Sequence, residues 1–199
     1  MDSRVLNDWS LAGEALSAGE VLGFPTETIY GIGCNPKNEK AVADLIALKG
    51  REQGKGLPLV AASSSFLEQL VIEESAKSRE LRISIQEQHW PGALTIVLQL
   101  KQSVFAKAVS APDGSIAVRV SPLAELAGLA KACGGFLIAT SANLSGKPVA
   151  ENSESFIEYF PKTKFVDDFR GATTVSLPST IVDLRSEEIK ILRQGALEV

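Results

Sequence analysis

The sequence predicts an α/β fold in which helices flank a mixed sheet of parallel and antiparallel strands. Apolar runs of strand length alternate with segments of helical periodicity along the chain. The last two runs, at 180–184 and 189–192, are separated only by a short polar turn, which predicts an antiparallel pair. No repeat, low-complexity tract or linker divides the 199 residues. We therefore expect a single domain over residues 1–199.

In the first half of the chain, two predicted helices follow polar capping residues. One begins at Asn7 or Asp8 and runs to about residue 18. The other begins at Asn38, and its apolar residues recur at helical spacing as far as Leu48. A third helical region runs from the serines at 63–65 to about residue 88. Short apolar runs predict the strands of this half, at 21–24, 29–33 and 57–62.

In the second half, Pro122 stands at a position typical of the first residue of a helix, and that helix is predicted to run to about Cys133. A further helix is predicted over 152–159. The strand with the strongest apolar pattern is that at 93–100. The other predicted strands are those at 116–120, 136–139, 180–184 and 189–192.

Composition and charge exclude several classes of protein. No apolar run approaches the roughly 20 residues needed to span a bilayer, and no signal peptide is recognisable, so we expect a cytoplasmic protein without a membrane segment. Cys34 and Cys133 are too few for a disulfide framework and are interpreted as reduced thiols. A catalytic triad or a multi-histidine metal site would depend on His89 alone. The net charge of −4 confines any RNA contact to a local patch.

Polar side chains cluster next to predicted strand ends, where ligands are commonly bound. Residues 25–33 contain two threonines, a glutamate and two glycines. Residues 139–146 carry small hydroxyl and amide groups that can hold phosphate, ribose or a carboxylate. Taken alone, each segment also fits a tight turn whose side chains cap local backbone groups.

Residues 49–56 alternate cations with glycines directly after a predicted helix. Arg51 offers a planar fork to phosphate oxygens, whereas Lys49 and Lys55 offer mobile point charges. The glycines expose backbone N–H groups that can add to an anion site. The spacing does not match a Walker loop. Taken alone, these cations would equally complement the helix dipole.

Arg119 is a cation within the otherwise apolar strand predicted at 116–120. Burying a guanidinium without an anion costs several kcal/mol, so Arg119 requires a carboxylate from the protein or from a ligand. Polar groups also flank the last two strands, with Ser179 before the first and Arg193 after the second.

Taken together, these segments resemble the YrdC family, and within it the short threonylcarbamoyl-AMP synthases. The resemblance runs from about residue 8 to residue 197. The Lys-x-Arg and Ser-x-Asn signature of the family is present at 49–51 and 141–143. Each motif alone is weakly specific, but six in the same order are highly specific. The other matching segments are those at 25–31, 90–92, 178–183 and 193–195.

The resemblance implies a twisted mixed sheet around a basic concave cavity. It also implies synthesis of L-threonylcarbamoyl adenylate and pyrophosphate from L-threonine, bicarbonate or CO₂, and ATP. Mg²⁺ is expected with the ATP phosphates by chemical analogy. Other proteins would then transfer the threonylcarbamoyl group to an adenosine in the tRNA anticodon loop. Direct contact of this chain with tRNA stays open.

Carried over by position, the implied site has two parts. Longer members place a histidine against threonine near the position of Val60, and this chain has none there. The implied threonine contacts are Thr28, Arg119 and Ser179. The implied ATP contacts are Arg51, Lys55, Ser115, Ser141 and Arg193. The signature residues with an implied catalytic role are Lys49, Arg51 and Asn143.

Two alternatives have different chemistry. A carbamoyl-transfer role, as in hydrogenase-maturation proteins, is disfavoured because those proteins carry a zinc-finger segment, and two cysteines cannot supply it. An RNA-binding or ribosome-associated module would use the cavity only as a basic surface. The acidic net charge argues against that module without excluding a basic concave face.

Overall fold

A computed structural model describes residues 3–51, 54, 56–167 and 177–199. Within them a 3₁₀ helix spans Ser64–Gln69. The α-helices are α1 (Trp9–Ser17), α2 (Glu39–Lys49), α3 (Ala76–His89), α4 (Ala124–Ala132) and α5 (Ser153–Tyr159). The strands are β1 (Val5–Leu6), β2 (Leu22–Phe24), β3 (Gly31–Gly33), β4 (Leu59–Ala61), β5 (Val71–Ile72), β6 (Leu94–Gln102), β7 (Ser115–Val120), β8 (Phe136–Ile138), β9 (Thr140–Ser141), β10 (Lys164–Val166), β11 (Thr180–Asp183) and β12 (Lys190–Arg193).

The strands form two sheets rather than the single sheet predicted. The smaller has the order β1-β10-β2-β3-β9, and the larger has the order β12-β11-β6-β7-β4-β8, with β5 paired to β6. Both sheets are mixed: in the larger one, β4 is parallel to β7 and antiparallel to β8. The predicted mixed α/β fold is confirmed, and so is the antiparallel pairing of β11 with β12.

The two sheets meet where β8 continues into β9 with only Ala139 between them. At this junction the backbone of Ile138 donates to the carbonyl of Cys34, just after β3. Gly33 is required here, because a Cβ at that position would collide with the carbonyl oxygen of Ile138. The close approach of β3 to β8 brings the smaller sheet against the larger one.

The predicted helix starts at the capping residues are confirmed. The Asp8 carboxylate accepts from the Ser10 amide at 2.8 Å, and the Asn38 side chain accepts from the Ala41 amide at 3.0 Å. Such caps satisfy backbone donors that have no partner within the helix. α2 ends at Gly50, whose φ of 57° lies in the left-handed region that glycine adopts without strain.

Two predicted helical boundaries are wrong. The region from 63–65 to residue 88 is not one helix, because Val71–Ile72 leaves the 3₁₀ helix to pair with β6 as β5. α3 then begins after a new cap, at which Ser75 accepts from the Ser78 amide at 3.1 Å.

The helix predicted to begin at Pro122 starts two residues later, at Ala124. The hydroxyl of Ser121 accepts from the Leu123 amide at 3.1 Å, which places Pro122 in a turn before the helix. The sequence also gave no signal for β1 and β10, which are two and three residues long and pair with each other in the smaller sheet. None of the helices in the described residues is long and apolar enough to cross a bilayer.

Candidate functional site

A cavity of about 280 Å³ is lined by residues of both sheets. Its floor is one face of the larger sheet. Ile181 of β11 pairs directly with Thr95 of β6 on one side and with Arg193 of β12 on the other. Directly paired residues point to the same face of a sheet, and all three of these line the cavity.

Strand β7 continues this floor on the far side of β6. Ala117 and Arg119 line the cavity. The residues that alternate with them are buried in the hydrophobic core. The strand therefore has one apolar face and one face with a cation, which is the pattern that made Arg119 conspicuous in the sequence. The core-facing residues are Ile116, Val118 and Val120.

The opposite wall comes from the smaller sheet and is rich in hydroxyl groups. The turn from β2 to β3 is fixed by Thr26, whose Oγ1 donates to the carbonyl of Ile29 at 2.6 Å and accepts from the amide of Thr28 at 3.1 Å. Thr28 is buried, and its hydroxyl lies 3.1 Å from that of Thr26. Strand β9 adds Thr140 and Ser141.

Arg119 is only 7% exposed, and its Nη1 forms an ion pair with Oε1 of Glu27. The other carboxylate oxygen, Oε2, accepts from the hydroxyl of Ser121 at 2.7 Å. Burial lowers the pKa of Arg119 to about 10. The carboxylate that the sequence required for Arg119 is thus supplied by the protein. In the described residues, Arg119 makes no other hydrogen bond or ion pair, so its remaining donors are available to a ligand in the cavity.

Arg51 enters the cavity from the turn after α2. The left-handed Gly50 ends the helix and redirects the chain at this point. The Nη2 of Arg51 donates to the carbonyl of Gly56 at 3.0 Å, and its buried Nε has no hydrogen-bond partner within the described residues. Burial lowers its pKa. A half-buried guanidinium with a buried, unused donor and, in the described part of the chain, no carboxylate partner is suited to binding an anion.

Arg193 lies at the other end of the floor and is fixed by Ser179. Its Nε and Nη2 donate to the Ser179 carbonyl at 3.1 and 2.7 Å, and Nη2 also lies 3.3 Å from the Ser179 hydroxyl. That hydroxyl is 2.8 Å from the hydroxyl of Thr95. Thr95, Ser179 and Arg193 therefore form one hydrogen-bonded chain along the cavity floor.

Lys49 and Asn143 lie behind the cavity wall rather than in it. The buried ammonium of Lys49 donates to the carbonyl of Ser141, to the carbonyl of Asn143 at 3.0 Å and to Asn143 Oδ1 at 3.2 Å. Ser141 Oγ donates to the same Oδ1 at 2.7 Å. Burial lowers the pKa of Lys49 to about 8. The two halves of the signature are thus joined through one ammonium group, which fixes the turn that carries Ser141.

Most of the predicted site residues come together. Ser115 is not among the cavity-lining residues, and its hydroxyl donates to Asp113 at 2.6 Å. Lys55 lies outside the described residues. The predicted residues that line the cavity are Thr28, Arg51, Arg119, Ser141, Ser179 and Arg193.

The predicted site residues left out Thr26, Thr95 and Thr140, which line the cavity, and Glu27, which pairs with Arg119. Thr95 interrupts the apolar pattern at the start of β6. It could have been found by assigning alternate residues of that strand to its two faces. Thr26 stands beside the predicted Thr28. Glu27 supplies the carboxylate that Arg119 requires, but its pairing with Arg119 can be seen only in the tertiary fold.

The cavity is basic, as the resemblance implied. Among the described residues, three arginines and no carboxylate line it. No cluster of three or more His, Cys, Asp or Glu side chains capable of holding a metal ion is found in the part of the chain that is described. The cavity can therefore hold anionic groups through guanidinium and hydroxyl donors, and its described lining offers no carboxylate set for a protein-bound Mg²⁺.

Comparison with known proteins gives consistent matches. The Sua5/YciO/YrdC family model, described as "Telomere recombination", matches residues 14–195. A threonylcarbamoyl-AMP synthase of Idiomarina loihiensis is 38% identical over 152 residues, which cover 76% of this chain and 80% of the relative. A threonylcarbamoyl-AMP synthase of Vibrio campbellii is 38% identical over 187 residues, which cover 92% and 96%.

A solved structure shows the same fold. The crystal structure of P. abyssi Sua5 complexed with L-threonine matches with a TM-score of 0.84 and 30% identity. The match covers 95% of this chain but 54% of the Sua5 chain, so this chain spans about half the length of that protein.

Proposed function

The chain belongs to the Sua5/YciO/YrdC family, and from that premise we propose that it is a threonylcarbamoyl-AMP synthase. It would form L-threonylcarbamoyl adenylate and pyrophosphate from L-threonine, bicarbonate or CO₂, and ATP. The observation that carries the proposal is a cavity whose described lining contains three arginines and several hydroxyl groups but no carboxylate. Such a cavity suits a small amino acid and a phosphate chain bound side by side.

The threonine end of the cavity is proposed at Arg119, Thr28 and Ser179. Arg119 would bind the amino-acid carboxylate through the guanidinium edge that Glu27 leaves unused. The buried hydroxyls of Thr28 and Ser179 can bind polar groups of a small substrate without adding bulk. The L-threonine complex of the related Sua5 supports threonine as the amino acid.

The ATP end is proposed at Arg51, Ser141 and Arg193, with Ser115 and Lys55 added by the family resemblance. Arg51 has an unused buried donor, and Arg193 is held in place by Ser179. Lys49 and Asn143 would contribute by fixing the turn of Ser141 rather than by touching the nucleotide. At about 280 Å³, the cavity is at the lower end of small-molecule sites. We therefore place the phosphates inside it and the adenosine at its mouth.

The chemistry depends on positioning and charge. The amine of threonine captures CO₂ as a carbamate with loss of a proton, and a carbamate oxygen attacks the α-phosphorus of ATP. The bond to the β-phosphate oxygen breaks, and pyrophosphate leaves. Fixed guanidinium groups in a partly desolvated cavity stabilise the charge that builds on the phosphates. Mg²⁺ would be carried by the phosphates, because the described residues that line the cavity include no carboxylate.

The product is a mixed anhydride suited to transfer of its threonylcarbamoyl group. Because this chain transfers the adenylyl group of ATP to the carbamate, we propose that it is a nucleotidyltransferase, and that a transferase complex in the cytoplasm then passes the threonylcarbamoyl group to tRNA. The relatives give no support to the alternative of a module that only binds RNA.

The test is a pyrophosphate-release assay with each substrate omitted in turn. We expect release only when L-threonine, bicarbonate and ATP are all present. Replacing L-threonine with D-threonine is the matched control, because it keeps composition and charge but misplaces the amine relative to the carboxylate. Release that continues unchanged without threonine would overturn the proposal.

A further inference from the structure

Arg119 meets a carboxylate before any substrate arrives. Glu27 forms the ion pair with its Nη1, and the Ser121 hydroxyl fixes the second oxygen of Glu27 at 2.7 Å. The side chains of Arg119 and Glu27 are 9% and 12% exposed, so the pair is nearly sequestered from water. A second carboxylate could then either compete with Glu27 or bind the edge of Arg119 that Glu27 does not use.

We propose that Glu27 is a positioning residue for amino-acid recognition: it holds the Arg119 guanidinium with its free edge toward the cavity, where the α-carboxylate of the substrate binds. This inference rests on the proposed function, because it names how the amino-acid end of the same site is oriented. Ser121 contributes to this positioning, because its hydroxyl fixes the carboxylate of Glu27.

The geometry favours positioning over direct contact. Thr26, Thr28 and Arg119 line the cavity, but Glu27 does not. Its carboxylate is occupied by Arg119 and Ser121, one oxygen each. Glu27 therefore acts on a ligand through Arg119. A guanidinium held on one side by a fixed carboxylate loses less rotamer freedom when a ligand binds the other side.

The main variants are E27A and E27Q. E27A removes the anchor, and we expect the KM for threonine to rise at least ten-fold while the KM for ATP changes less than two-fold. E27Q keeps both contacts, because its amide oxygen can accept from Arg119 and its NH₂ can donate to the Ser121 hydroxyl. We expect E27Q to restore the KM for threonine to within about three-fold of the wild type.

S121A gives a milder test if E27A does not fold. It should raise the KM for threonine about three-fold in the wild-type background. Where E27A folds, S121A should add nothing in that background, because Ser121 acts on threonine binding only through Glu27. Additive effects of the two substitutions would overturn the proposed chain from Ser121 through Glu27 to Arg119.

E74A is the matched control. It breaks another buried glutamate–arginine pair, that of Glu74 with Arg82, at a place that does not line the cavity. It should lower the melting temperature but leave the KM for threonine unchanged. A purely structural role for Glu27 would make E27A behave in the same way and would overturn the inference. Tighter threonine binding in E27A or E27Q would also overturn it, since Glu27 would then be a competitor.

The wild-type assay separates this inference from the proposed function. If the wild-type protein releases no pyrophosphate with threonine, the proposed function fails before any variant is compared. If the wild type is active and E27A keeps its KM for threonine, only the role of Glu27 fails.

Discussion

Two buried arginines in this molecule differ in how many of their guanidinium donors are already paired. Arg82 in α3 is 3% exposed and donates to both oxygens of Glu74, at 2.9 and 2.8 Å, and to Gln86 Oε1 at 3.3 Å. Arg119 in β7 is 7% exposed and, in the described residues, meets only one oxygen of Glu27. Arg82 does not line the cavity, whereas Arg119 does.

The difference is the one expected between a structural cation and a cation that binds a ligand. A guanidinium whose edges are already filled by a carboxylate and an amide has little left to offer a ligand. One that keeps donors free while buried is stabilised when an anion arrives. Burial alone therefore does not identify a binding arginine, since both are almost equally buried. The unfilled donors facing a cavity identify it.

The largest expected effect is on the stability of the saturated pair. Arg82→Met should lower the free energy of unfolding by about 3 to 5 kcal/mol, because it leaves the Glu74 carboxylate without its partner in a largely buried position. Urea unfolding would measure this. The KM for threonine, measured below the melting temperature, should stay at its wild-type value. A large change in that KM would erase the distinction between the two arginines.

Arg119→Met should also lower stability, because it leaves the buried Glu27 carboxylate without its partner, but unlike Arg82→Met it should weaken threonine binding as well. Losing two charge-assisted hydrogen bonds to the substrate carboxylate should weaken threonine binding by about 3 kcal/mol, or about 100-fold. ATP affinity should change only a few-fold, because Arg51 and Arg193 remain. Calorimetry with each ligand separately checks this split. Equal losses for the two ligands would show that Arg119 supports the whole cavity rather than the threonine end.

Much of the fold was predictable because its signals are local. The caps at Asp8 and Asn38 and the apolar run of β6 are read from a few neighbouring residues, and the structure confirms them. The division into two sheets was not predictable, because it depends on the passage from β8 to β9 through Ala139. In the sequence, residues 136–141 look like the end of a single strand rather than two strands in different sheets.

The candidate site was predictable to the extent that its residues are chemically out of place. Arg119 stands out in an apolar strand, but its partner Glu27 is 92 positions earlier in the chain, and only the tertiary fold joins them. Lys49 was predicted as catalytic from the signature. The structure instead places its ammonium on three neutral acceptors behind the wall. The spacing of the signature residues in the sequence does not determine the direction in which a side chain points from a turn.

Lys49 sharpens the comparison, because it is a buried cation whose partners are all neutral. Burial lowers its pKa to about 8 from an ordinary 10.5. Between these values the folded state is neutral at Lys49 and the unfolded state is charged, so folding releases a proton and stability rises with pH. The rise is at most about 1.4 kcal/mol per pH unit and is absent in Lys49→Met.

The measurement is urea unfolding of the wild type and Lys49→Met at several values from pH 7.5 to pH 10. Cys34 and Cys133, whose pKa values burial raises to about 12, act in the opposite direction in both proteins and cancel in the difference. The unfolding free energy of the wild type minus that of Lys49→Met should increase with pH above 8. A difference that stays constant would mean that Lys49 keeps its proton over this pH range.

The smallest expected effect concerns Thr95, which extends the comparison from cations to hydroxyls. Its hydroxyl lies 2.8 Å from that of Ser179, and both side chains are buried in the cavity floor. Thr95→Val keeps the shape but removes that hydrogen bond, at a cost of about 1 kcal/mol. The KM for threonine should rise about five-fold with little change in the KM for ATP.

Thr163→Val, at a buried threonine that does not line the cavity, is the matched control. If both variants lose stability and neither changes the KM, the Thr95 hydroxyl supports packing, and threonine recognition rests on Arg119 and the groups that hold it.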